Sequence, residues 1–96
     1  MNRLNEIIPI YVEFMPEILE EGKLYISKRF ELAIHLCACG CGIKSVTPIG
    51  IYAGKSEWVL TENNGLVSLT PSIGDWIGEN PYHAHYFITN NKIVWS

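Results

Sequence analysis

Positive charge is scarce in this 96-residue chain and nowhere gathered. Seven lysines and arginines face ten acids, for a net charge of −3, and only Lys28 and Arg29 adjoin. A nucleic-acid binder needs a basic stripe to follow the phosphates, so composition argues against that partner. Long apolar runs are missing as well. Each is far shorter than the ~20 residues that span a bilayer, and the N-terminus lacks the order of a secretory signal. A cytoplasmic protein with no membrane role is the expectation. There are no repeats, low-complexity tracts or linker-like shifts in composition, so residues 1–96 read as a single domain. No G-x-S-x-G elbow is present, and Ser72 reads as a turn cap rather than a nucleophile.

What is present is β-like. The runs "IYVEF" (10–14), "KLYIS" (23–27) and "ELAIHLC" (31–37) are rich in strand formers. "EWVL" (57–60) and "LVSL" (66–69) flank "TENNG", a five-residue hairpin loop with Gly65 placed for positive φ. "AHYFI" (84–88) and "KIVWS" (92–96) flank "TNN", a second hairpin. "PEILEEG" (16–22) reads as one helical turn or a loop. Six to seven short strands predict an all-β barrel or sandwich. A chain this small gains from a metal staple.

The cysteines supply the candidate for that staple. All three stand at alternate positions in "HLCACGCGIK" (35–44). In a reducing compartment such a set reads as metal-binding or catalytic rather than as a disulfide framework. Alternate side chains on a flat strand lie ~6.5–7 Å apart, whereas two thiolates on one tetrahedral zinc sit only ~3.8 Å apart. The backbone must therefore turn, and Gly40 and Gly42 around Cys41 permit it. "YHAHYFI" adds two histidines at i and i+2. The candidate ligands are thus Cys37, Cys39, Cys41, His83 and His85, with Cys39, Cys41 and His85 placed first. His35 reads as a packing or supporting residue. Mixed thiolate and imidazole donors suit zinc first and iron second. Four protein ligands would make the site structural. Three would leave room for a metal-bound water, with Asp75 or Glu79 as the base nearby.

The stretches "LYIS", "HLCACGCG", "TP", "W", "VSLTPSIGDW", "HAHYFI" and "KIVW" resemble a family of small bacterial and phage proteins known by a domain-of-unknown-function label. The resemblance runs from about Tyr11 to Ser96 and rests most on the CxCGCG, SLxPSIG and HYxI motifs. It implies metal binding. Because some relatives are encoded beside bacterial ubiquitin-like conjugation genes, it also implies an accessory role with a protein partner. Family members usually carry a cysteine where this chain has Tyr82. Either His83, one place later, substitutes for it, or one arm of the site is gone. The first reading is a zinc-binding accessory or protein-interaction module, leaning away from an enzyme. The alternative is a metal-dependent hydrolase with a zinc-activated water. A third reading makes Cys39 or Cys41 a nucleophile and His85 its base.

Overall fold

The computed structural model describes residues 3–49, 58–77 and 80–96, with backbone alone over 75–77 and 80–83. Among the described residues every helix or strand assigned is a strand: β1 (Ile8–Tyr11), β2 (Lys23–Ser27), β3 (Leu32–Leu36), β4 (Lys44–Pro48), β5 (Val59–Asn63), β6 (Leu66–Ile77), β7 (Asn80–Thr89) and β8 (Lys92–Trp95). They form two four-stranded sheets, β1-β2-β3-β4 and β5-β6-β7-β8. The all-β expectation holds, and residues 16–22 take its loop alternative. No described helix is long and apolar enough to cross a membrane.

The strand that sequence patterning passed over is β4. Its inward residues, Ser45 and Thr47, are polar, while apolar Val46 faces out at 49% exposure. Hydrophobic alternation is therefore inverted, and β4 is held by its ladder to β3 and by Thr47 Oγ1 donating to the Ala33 carbonyl at 2.9 Å. The two short hairpins are legible in composition. Asn64 and Gly65 both take positive φ between β5 and β6, as do Asn90 and Asn91 between β7 and β8. Two residues with positive φ match the right-handed twist of the strands they join.

One apolar cluster draws on both sheets. Leu24, Ile26 and Ala33 come from the first, and Val67, Leu69, Ile73, Ala84, Tyr86, Ile88 and Ile93 from the second. Residues 4–7 link the two. Ile7 N–H donates to the Asn91 carbonyl and Ile93 N–H to the Asn5 carbonyl, while Leu4 N–H reaches the Ala38 carbonyl in the first sheet's loop. Trp95 Nε1–H donates to the Leu4 carbonyl at 3.0 Å, and the Arg3 guanidinium lies 4.1 Å above the Trp95 ring.

A second tie joins the sheets at the surface. Tyr11 of β1 donates its hydroxyl to Glu62 of β5, whose other carboxylate oxygen lies 2.9 Å from Lys28 Nζ. Together Tyr11 and Lys28 hold Glu62 below its ordinary carboxyl value. Burial, and then the Glu62 carboxylate, push the Tyr11 hydroxyl from 10.0 up to about 12. The unfolded chain loses this proton near the ordinary value. The contribution is thus full below pH 10 and vanishes as pH rises towards 12. Tyr11→Phe is expected to lack that alkaline loss. Urea midpoints for both proteins on either side of this window check it.

Candidate functional site

The cysteines lie on the loop that joins β3 to β4. Cys37 N–H donates to the Ile43 carbonyl at 2.8 Å and closes the loop, and Gly40 N–H donates back to the Cys37 carbonyl at 3.1 Å. Gly40 and Gly42 take φ of 91° and 83°, the left-handed conformation that makes the turn. Open space surrounds the position of a Cβ on Gly42, so its φ alone demands glycine there. The turn brings the three Sγ atoms within 4.8 Å of one another, with Cys37 and Cys39 at 3.4 Å. That spacing brackets the ~3.8 Å edge of a thiolate tetrahedron, so the cluster can hold a metal ion. All three cysteines are free of disulfides.

Beneath this loop stands Tyr86 of β7, fully buried. Its hydroxyl accepts Ala38 N–H at 3.3 Å and lies 2.6 Å from His35 Nε2. His35 is fully buried in β3, as the packing reading of it requires. One hydroxyl therefore connects the cysteine loop, the first sheet and the second.

Strand alternation separates His85 from this group. Ala84, Tyr86 and Ile88 are buried in the core with Cys37 and Ala38, whereas His85, between the first two, faces the opposite side of β7. Among the described residues the metal-competent group consists of the cysteines alone. His83 belongs to β7, but its side chain lies outside the described residues, as do the Asp75 side chain and the whole of Glu79.

His85 meets a residue that sequence reasoning set aside. Its Nε2 lies 2.8 Å from Ser72 Oγ, and both residues are half-buried. The local fold of β6 explains the meeting. Leu69 pairs with Ile88 and Ile73 with Tyr86, so the ladder slips over the intervening residues, where the Thr70–Pro71 bond is cis. Ile73 goes into the core and Ser72 to the outer face. Gly74 pairs directly with His85, so no side chain of β6 stands straight across from the imidazole. Two hydrogen bonds to the carbonyls of Ser72 and His85 hold the pair in place. Trp58 Nε1–H donates to the Ser72 carbonyl at 3.4 Å, and Ser96 N–H donates to the His85 carbonyl at 3.1 Å. A hydroxyl against an imidazole in this way is the nucleophile–base geometry of covalent catalysis.

A signal for Ser72 did exist. Ile77 pairs with Asn80, and an unbroken ladder counted back from there would set Ser72 opposite His85. The two register shifts turn that into a diagonal contact.

A protein-family model described as "Bacterial ubiquitination-like system serine protease (BubE)" matches residues 11–96. Comparison with curated proteins and with solved structures finds no match.

Tyr86→Phe deletes the partner of a buried backbone N–H and of a buried imidazole nitrogen. It should cost about 1–3 kcal/mol of folding stability, read from urea denaturation.

Proposed function

The chain belongs to the BubE family of bacterial ubiquitination-like system serine proteases, and from that premise we propose that it cleaves the bond at the C-terminus of a ubiquitin-like protein. Ser72 is the nucleophile and His85 the general base. The observation that carries this reading is the 2.8 Å approach of Ser72 Oγ to His85 Nε2 on an outer sheet face. Ser72 Oγ attacks the scissile carbonyl carbon as its proton passes to His85 Nε2. The C–N bond breaks, and the same proton goes to the departing amine. Water then gives a proton to Nε2 and its hydroxide to the acyl carbon. The Ser72–acyl bond breaks, and the serine recovers its proton from His85.

Cys37, Cys39 and Cys41 hold a zinc ion, with His83 as the candidate for a fourth position, because the ladder slips between Ala84 and Asn80 and breaks the alternation that turns His85 away. Bound there, zinc would act as a structural cross-link, because the thiolates lie on the core side and the dyad on the other. Hydrolysis by a metal-bound water is not favoured, since His85 serves the serine. The 96 residues act as a single domain in the cytoplasm, where the thiols stay reduced. The core shared by both sheets supports the single domain.

Ser72→Ala and His85→Ala should each lower kcat by about a thousandfold or more on a ubiquitin-like protein carrying a C-terminal reporter. A fluorophosphonate should label Ser72 in the wild type, mapped by mass spectrometry. Undiminished turnover by Ser72→Ala would remove the serine from the mechanism.

The zinc assignment has its own test. Cys41→Ser should lower the zinc content measured by elemental analysis, and chelation should lower the Tm of the wild type. A Tm indifferent to chelation would refute the structural role.

A further inference from the structure

We propose that Phe87, with Val94 beside it, forms the wall that receives an apolar side chain of the substrate's tail on the acyl side of the scissile bond. This rests on the serine-protease reading and adds the surface that selects the substrate. Pairing defines the surface. Leu60, Leu69, Ile88 and Ile93 form one cross-strand row through all four strands of the second sheet, packed in or against the core. The residue next to each on β5, β7 and β8 must face the other way. These are Val59, Phe87 and Val94, exposed by 54%, 42% and 48%. Phe87 and Val94 are direct cross-strand partners. Val59 lies on the same face opposite Thr70, at the start of the irregular stretch that carries Ser72.

The strip runs into the dyad. The Phe87 ring is centred 6.0 Å from that of His85, and Phe87 lies across from residues 70–72. An extended chain repeats its side chains on one face about every 6.6 Å. A tail whose carbonyl sits at Ser72 Oγ thus carries a side chain two residues away within reach of Phe87. Apart from Thr70 the exposed side chains of this strip are apolar, so an apolar residue gains from burial there and a carboxylate loses its hydration. The acyl side follows from the reaction. A protease that frees a ubiquitin-like protein from different leaving groups meets one constant feature, the tail, and a fixed wall can read only that.

The test compares wild type, Phe87→Ser and Phe87→Leu on the ubiquitin-like partner fused at its C-terminus to a fluorescent reporter. Each of the last four tail residues is replaced in turn by Asp. Phe87→Ser should raise KM by about tenfold or more, with kcat and the fluorophosphonate labelling rate of Ser72 within about twofold of wild type. Phe87→Leu should restore most of the loss. One Asp replacement should erase the difference between wild type and Phe87→Ser. An unchanged KM would overturn the inference, as would labelling that falls in step with KM. So would conversion of a dimer to a monomer by Phe87→Ser without a change in KM, since the strip would then cover a second copy of the chain. Failure of the wild type to label at all is a separate result, and it would overturn the serine reading and this one with it.

Discussion

The Tyr86 hydroxyl is the point on which the two halves of this structure depend. A phenol that is fully buried must find partners for its oxygen, and here they come from the other sheet: Ala38 N–H in the cysteine loop and His35 Nε2 in β3. Neither partner is close in sequence. The contact can form only once β7 lies across the end of β3, and that packing also carries the Cys37 and Ala38 side chains into the core. The cysteine loop is therefore held against the second sheet by the Tyr86 hydroxyl bonded to its backbone.

From that anchor the strand's period of two does the rest. Tyr86 points inward to the loop, so His85, one residue earlier, must point outward. One residue thus separates a side of β7 that holds sulfur from a side that presents imidazole. This is the physical reason for assigning two chemistries to adjacent positions rather than pooling all cysteines and histidines into one centre. The inner side of β7 thus faces a cysteine cluster able to hold a metal ion, while His85 stands on the outer face beside Ser72.

Much of the fold was legible in the sequence, and the reasons differ by element. "KLYIS" coincides with β2, and the Asn-Gly and Asn-Asn turns announce themselves because few other residues accept positive φ at both places. The five-residue loop read between β5 and β6 tightens to two residues, because "TEN" extends β5 as far as Asn63. β4 escaped notice because its inward face is polar, and a ladder to β3 leaves no trace in hydrophobic pattern. The cysteine loop was legible for a local reason. The distance between alternate side chains is too great for a shared ion unless the backbone turns, and two glycines stand where the turn is required. The partnership of Ser72 with His85 was not legible in the same way. An unbroken ladder counted from the Ile77–Asn80 pair would set them opposite, and the two register shifts that make the contact diagonal instead have no signature in residue type.

The proposed serine nucleophile also shows that an elbow is not the only route to an exposed hydroxyl. A G-x-S-x-G turn is one way of lifting a hydroxyl clear of a sheet so that a base can reach it. The chemistry requires only the lift and the base, and unrelated folds supply them differently. In this chain an irregularity in β6 performs the lift. It sets Ile73 into the core and Ser72 on the outer face, while Gly74 sets no side chain straight across from the ring on β7. The backbone is fixed at both partners from elsewhere, by the Trp58 indole on Ser72 and the Ser96 amide on His85. Two adjacent strands of a small sheet are then sufficient to hold a hydroxyl and an imidazole within hydrogen-bond distance. A motif that assumes a strand-to-helix turn has nothing to find in a described structure built of strands and loops.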